Sequence, residues 1–259
     1  MGAYTRYLEA AGEIAREAGE LLRRDFRSRS IFAFKSEIDL VTETDTASQT
    51  LIHDRLSALF PGHDFLAEEG LRKLAEAEFR WVIDPLDGTT NFVHRIPWFC
   101  VSIGLEHRGV PVAGVVLNPM NGELFAAETG AGAFLNGDPI RVSETGDLDR
   151  SLVATGFPYD IRTSGTNVAA HDRFLRSAQA VRRFGAAALD LCYVACGRFE
   201  GFWEMKLKPW DTAAGAVVVG EAGGLVTDFL GRPADIYHPE VCASNGRIHR
   251  RMLEILTQP

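Results

Sequence analysis

Asp84 and Asp87 stand three residues apart in Asp84-Pro85-Leu86-Asp87-Gly88-Thr89-Thr90-Asn91-Phe92, directly after the strand-like run Phe79-Arg80-Trp81-Val82-Ile83. Proline fixes its own φ and pushes Asp84 into extended backbone. Asp84 is therefore expected to end its strand with its carboxylate at the sheet edge, where α/β folds keep their sites. Asp87 comes round the turn towards the same space, and the Leu86 carbonyl offers a third oxygen. Gly88 lets a ligand approach the backbone closely. Thr89 and Thr90 can open a short helix whose N–H groups meet a phosphate. Carboxylate and carbonyl oxygens suit hard divalent cations, Mg²⁺ or Mn²⁺ rather than zinc. The pattern points to metal-assisted chemistry on a phosphate. A plain capped β-turn uses the same residue types, because Asp, Pro and Gly are ordinary turn formers.

Other acids have comparable settings. Glu68 and Glu69 close the short apolar run Phe65-Leu66-Ala67, Asp211 begins the small-residue helix of Trp210-Asp211-Thr212-Ala213-Ala214-Gly215, and Asp45 follows the stretch ending Thr42-Glu43-Thr44. Alone, each reads as a solvated surface pair or a helix N-terminal acid. Four acidic segments, each at a strand end or helix start, are harder to assign to chance.

The formal net charge of −8 argues against a nucleic-acid partner, which calls for a basic face. Clustered carboxylates without a cation would repel one another and an anionic substrate. Two or three bound Mg²⁺ ions are thus a requirement of the phosphate reading. The four cysteines, Cys100, Cys192, Cys196 and Cys242, lack zinc-site spacing and read as small core residues. No two of the seven histidines are spaced H-x-x-x-H. The apolar runs are too short to span a bilayer, and the N-terminal pattern is amphipathic rather than that of a signal peptide. A cytoplasmic protein with no membrane partner is the expectation.

The elements that must position these residues follow from periodicity. Tyr4, Tyr7, Leu8, Ala11, Ile14, Ala15, Ala18, Leu21 and Leu22 predict a helix over 4–26, and a second is expected from Thr46 to Phe60, before Pro61-Gly62. Strands are expected at 64–67, 79–84, 98–107, 110–118 and 123–128, with hairpin turns at Arg108-Gly109 and Asn121-Gly122. The glycine-rich stretch 130–137 reads as a turn and hairpin. Beyond 150 the pattern alternates: strands at 152–155, 181–184, 199–205 and 241–244, helices at 167–179, 186–197, 211–222 and 246–256. We expect an α/β (α+β) chain with a mostly antiparallel N-terminal sheet and an alternating C-terminal half. Residues 1–150 and 151–259 would form two lobes around a cleft.

Assembled, these residues resemble the inositol monophosphatase family of Mg²⁺-dependent phosphatases. Trp81 to Phe92 is similar to its first signature. Trp210 to Gly215, with Glu221-Ala222-Gly223-Gly224, is similar to its second. Lys35, the run Asp39 to Asp45 and the Glu68-Glu69 pair match as well. The resemblance implies a layered α/β/α/β/α sandwich of the sugar-phosphatase type, as a homodimer. It implies a first Mg²⁺ on Glu68, Asp84 and the Leu86 carbonyl and a second on Asp84, Asp87 and Asp211. Glu69 would assist a weaker ion through water. Asp45 and Thr89, near Glu68, would orient and deprotonate the attacking water, and the Gly88 and Thr89 amides would bind phosphate. Glu204 would meet a substrate hydroxyl beside the Ala187 backbone, and Lys35 would belong to a mobile loop. For Lys35 and Glu204 a surface lysine and a strand-end acid are the plainer readings. The implied reaction is hydrolysis of inositol-1-phosphate or a related small sugar or polyol phosphate by direct attack of metal-activated water. Fructose-1,6-bisphosphate, histidinol phosphate and 3′-phosphoadenosine 5′-phosphate are alternatives, and a non-catalytic regulatory protein is a reading from another class. Many relatives carry Ser or Thr where this chain has Ala186, which removes a hydroxyl that could contact substrate.

Overall fold

The computed structural model describes residues 2–27, 32–34, 40–73 and 77–258. Lys35 and Asp39 lie outside them. Helix α1 (Thr5–Arg27) buries Ala11, Ile14, Ala15, Ala18 and Leu22 at helical spacing. Its start is tied down by buried Glu128, which accepts from the Tyr4 N–H at 2.7 Å and the Thr5 hydroxyl at 2.5 Å. A short antiparallel ribbon, β1 (Phe32–Phe34) with β2 (Leu40–Thr42), precedes α2 (Glu43–Leu59). The second helix starts three residues earlier than expected, because Thr42 and Asp45 form a capping box that recruits Glu43 and Thr44 into the first turn.

The larger sheet takes β3 (Asp64–Ala67), β4 (Arg72–Lys73) and β5 (Phe79–Asp87). The one-turn helix α3 (Thr89–Val93) follows. Then come β6 (Cys100–His107), β7 (Val110–Asn118), β8 (Glu123–Glu128), β9 (Gly132–Leu135) and β10 (Asp138–Pro139). Its strand order is β10-β9-β8-β7-β6-β5-β3-β4, antiparallel except where β3 runs parallel to β5. The second half supplies β11 (Leu152–Thr155), α4 (Ile161–Ser164), α5 (Val168–Leu175), β12 (Ala180–Arg182) and α6 (Ala187–Ala195). It continues with β13 (Gly201–Met205), α7 (Pro209–Glu221), β14 (Leu225–Thr227), β15 (Glu240–Ser244) and α8 (His249–Leu256). The smaller sheet is ordered β12-β11-β13-β15-β14, parallel at β11 and antiparallel around β15.

Apolar clusters cement the layers in the expected α/β/α/β/α order. Trp81, Ile83, Val101, Ile103, Leu105 and Val115 pack under α1 and α2. The opposite face, with Val116 and Phe125, meets α6 and α7, which also cover Phe202 and Ala243 of the smaller sheet. Val153, Trp203 and Cys242 face outward onto Phe174 of α5 and Met252 of α8. Strand alternation therefore sends odd-numbered residues of β5 and β6 towards α1 and even-numbered ones towards α7. The even positions 104 and 114 are glycines. A Cβ at Gly104 would stand 2.8 Å from Ala213 Cβ, and one at Gly114 would stand 2.6 Å from Ala214 Cα. Helix α7 thus lies directly on backbone, closer than any side chain would permit.

Candidate active site

Strand β5 does not end at Asp84 as expected. It continues to Asp87 through an irregularity in register: Asp84 pairs with Ser102, and Asp87 pairs with Cys100. Three steps on β5 match two on β6, so one residue is extra. In a regular strand, residues three apart point to opposite faces. The extra residue turns Asp87 back to the face of Asp84, towards α7. Hydrogen bonds hold the bulge. The Leu86 N–H donates to Asp84 Oδ1 at 3.0 Å and buried Ser48 of α2 donates to the Pro85 carbonyl at 2.9 Å, while Thr89 Oγ1 lies 3.1 Å from the Leu86 carbonyl oxygen.

The parallel pairing of β3 with β5 carries Glu68 to the same end: Ala67 pairs with Ile83, and the Glu68 N–H donates to the Ile83 carbonyl at 3.2 Å. Asp211 arrives from the first turn of α7, where its Oδ2 accepts from the Lys208 N–H at 2.7 Å. Asp87 Oδ2 accepts from the Ala188 N–H at the start of α6 at 2.8 Å. Gly88, in left-handed backbone (φ 94°), turns the chain into α3.

One pocket of about 480 Å³ collects Glu68, Asp84, Leu86, Asp87, Gly88, Thr89, Ala187, Glu204 and Asp211. Its size is that of a small-molecule site. Asp45 lies just behind: its Oδ1 accepts from Thr89 Oγ1 at 3.0 Å, while its Oδ2 caps α2 by accepting from the Thr42 N–H at 2.8 Å. The helix-cap and functional readings of Asp45 are thus compatible. Glu69 stands outside the pocket wall, its backbone clamped to the Gln49 amide by bonds of 3.0 and 3.2 Å, and its charge helps raise the Asp45 pKa. Ala187 lines the pocket, whereas Ala186 is 1% exposed and does not. A second depression, beside Glu43 and Asp54 on the exposed flank of α2, contains none of the sequence-predicted residues.

Buried acids outnumber the nearby cations, and Arg183 only partly offsets the charge at Glu204 and Asp190. Burial, then the charges of Glu68, Asp87 and Asp211, hold the Asp84 pKa well above the ordinary carboxylate range. Burial raises Asp87 to about 6, with Glu68 adding to it against the Ala188 N–H. Burial likewise lifts Asp211 far up and Glu204 to about 8, the latter helped by Asp87. Asp45 is raised to about 6, chiefly by burial. Among the described residues no three His, Cys, Asp or Glu side chains converge tightly enough to form a finished metal cage. The carboxylates share a pocket rather than a point. An all-oxygen donor set whose charges are buried and mutually repelling fits hard divalent cations, which would relieve both penalties.

Sequence reasoning missed one wall of the pocket. Gly156 to Asp160, Arg183, Lys206, Lys208 and Trp210 also line it. The Gly156-Phe157-Pro158 turn directly after β11 was the available signal. Asp190 of α6 was missed too. It is 1% exposed, its Oδ1 has no hydrogen-bond partner among the described residues, and burial followed by the Glu204 and Asp87 charges raises its pKa.

Comparison with known proteins agrees over the whole chain. The sequence pattern of the inositol monophosphatase family matches residues 3–258. Inositol-1-monophosphatase of Synechocystis sp. is 47% identical over 220 residues, covering 84% of this chain and 77% of that protein. Nus factor SuhB of Escherichia coli is 40% identical, covering 95% of this chain and 94% of that protein. The structure of inositol monophosphatase from Anabaena (Nostoc) sp. superposes with a TM-score of 0.91 at 41% identity, covering 99% of this chain and 97% of that one. With its fold, its signatures and its carboxylate pocket in agreement, the chain belongs to the inositol monophosphatase family and is a phosphoric monoester hydrolase.

Proposed function

We propose that the protein hydrolyses phosphate monoesters of small polyols or sugars, inositol-1-phosphate first among them, by direct attack of water. The observation that carries this reading is the one-residue bulge. It turns Asp84 and Asp87 to one face, into the pocket that Asp211 enters from α7. Glu68, Asp84, the Leu86 carbonyl, Asp87 and Asp211 would hold two Mg²⁺ ions, with Glu69 supporting a weaker third. Bound Mg²⁺ supplies acidification of water and neutralisation of phosphoryl charge.

This chain's own residues supply the rest. The Thr89 hydroxyl, donating to Asp45 Oδ1, accepts from and orients the attacking water, and Asp45 takes the water's proton through Thr89. The Gly88 and Thr89 amides hold phosphoryl oxygens. Glu204 accepts from a hydroxyl of the leaving alcohol beside Ala187. We further propose, on the family resemblance alone, a cytoplasmic homodimer whose lobes, 1–150 and 151–259, meet at this pocket. The presence together of the acids that would hold the cations and the Thr89–Asp45 pair favours catalysis over a purely regulatory role.

A panel of inositol-1-phosphate, fructose-1,6-bisphosphate, histidinol phosphate and 3′-phosphoadenosine 5′-phosphate, with Mg²⁺ and with chelator, tests the reading. Chelator-sensitive release of phosphate from inositol-1-phosphate is expected. Turnover of none of them would defeat it.

A further inference from the structure

Gly156 directly follows β11 and lines the pocket. The parallel register pairs Thr155 with Trp203, which sets Gly156 beside Glu204 of β13. A Cβ on Gly156 would stand 2.1 Å from Glu204 Oε1 and 2.2 Å from Oε2. Its backbone is outside the left-handed region, so glycine is required here for space and not for φ. The missing side chain is the volume the Glu204 carboxylate occupies.

The backbone that defines this volume is held by a buried polar network. Asn167, 5% exposed, donates through Nδ2 to the Gly156 carbonyl at 2.7 Å and to Thr155 Oγ1 at 2.8 Å. Its Oδ1 accepts from Trp203 Nε1 at 2.6 Å, and Thr155 Oγ1 donates to the Trp203 carbonyl at 2.6 Å. Trp203 is clamped in turn by stacking on Phe174, with ring centroids 3.8 Å apart. Asn167 reaches inward from left-handed backbone (φ 72°), which asparagine tolerates better than most residues. Every side-chain atom of this asparagine that can bond is used, and all of them tie the Gly156 turn to the strand carrying Glu204.

We propose that Gly156 and Asn167 are positioning residues for Glu204: together they keep its carboxylate aimed into the pocket and so set selectivity for a hydroxyl-bearing leaving group over a plain one. The inference rests on the reading above that Glu204 meets a substrate hydroxyl. A methyl at 156 displaces Glu204 rather than the fold, because the atoms it strikes are the far end of a flexible side chain.

The test is a double-mutant cycle of Gly156→Ala and Glu204→Ala, measured with inositol-1-phosphate and with phenyl phosphate, whose leaving group carries no hydroxyl. Gly156→Ala is expected to raise KM for inositol-1-phosphate about ten-fold with kcat within about two-fold, the loss of one hydrogen bond that binds substrate and transition state alike. In the Glu204→Ala background the same change should move KM less than about two-fold. Asn167→Asp keeps the size and backbone tolerance of asparagine but has no N–H to donate. It is expected to act in the same direction, and it carries the cycle should Gly156→Ala fail to fold. An unchanged KM, an equal rise for phenyl phosphate, or an equal effect with and without Glu204 overturns the inference while leaving the phosphatase reading intact. Failure of the unsubstituted protein to hydrolyse inositol-1-phosphate overturns that reading and this inference together.

Discussion

The Thr89 hydroxyl donates to Asp45 Oδ1 at 3.0 Å, joining the turn after β5 to the first turn of α2. The other Asp45 oxygen accepts from the Thr42 N–H, so the carboxylate is oriented from both sides. A base held this way needs no rearrangement to receive a proton passed along the hydroxyl. Thr89→Ala and Asp45→Asn are each expected to lower kcat by about 10²–10⁴-fold, the usual worth of positioned general-base catalysis, with smaller effects on KM. The double variant should be little worse than either single one, since the two act as a unit. Steady-state kinetics of the three proteins checks this.

Ionisation of Asp84 is opposed by burial itself and by the charges of Glu68, Asp87 and Asp211. Asp84→Asn removes that penalty along with an oxygen donor. Metal-free Asp84→Asn is therefore expected to melt higher than the metal-free parent. Its kcat/KM with Mg²⁺ should fall beyond the about 10–100-fold typical of losing a supporting residue around a metal. Calorimetry and kinetics on one preparation decide both. Parental activity in Asp84→Asn would remove Asp84 from the ligand set.

The raised carboxylates make stability depend on pH in a defined direction. Asp45 and Asp87 sit at about 6 and Glu204 at about 8, against ordinary values of 3.8 and 4.5. The folded chain thus binds more protons than the unfolded one in this window, and stability falls as pH rises from about 4 to about 8. Buried His249 and His63, whose pKa values burial lowers, oppose this on the acid side. The difference between Mg²⁺-loaded and chelated protein isolates the carboxylates. The Mg²⁺-induced rise in Tm should be larger at pH 8 than at pH 5. A constant increment would contradict a cation site made of these groups.

Helix α7 reaches the sheet because residues 104 and 114 have no side chains. A Cβ at Gly114 would stand 2.6 Å from both Ala214 Cα and its carbonyl oxygen, backbone that cannot swing aside. Gly114→Ala is expected to cost about 1–3 kcal/mol, as overpacking does. It should also weaken Mg²⁺ binding, because lifting α7 moves Asp211 away from Asp84. Denaturant unfolding and calorimetric Mg²⁺ titration check the two effects. Unchanged stability would show that α7 has slack at this contact.

Much of the architecture is legible locally. The apolar stripe of α1, the Arg108-Gly109 and Asn121-Gly122 hairpins and the Thr89–Thr90 helix start each follow from neighbours in sequence. Boundaries moved where side chains bonded across a terminus, as Thr42 and Asp45 did at α2. The sequence by itself determined which residue types could do chemistry: oxygen donors clustered in short segments, a proline-glycine turn, and small residues along α7. Only the tertiary structure decided which of them meet. The single extra residue in β5 makes two acids of opposite strand parity share a face, and the two side-chain-free positions beneath α7 bring Asp211 within range. Asn167 has nothing in its neighbourhood to mark it, since its partners Thr155, Gly156 and Trp203 belong to other strands or their ends. Local backbone preferences act over a few residues and can be read along the chain. Face, register and closeness of approach depend on pairings between distant segments, and those exist only once the chain has folded.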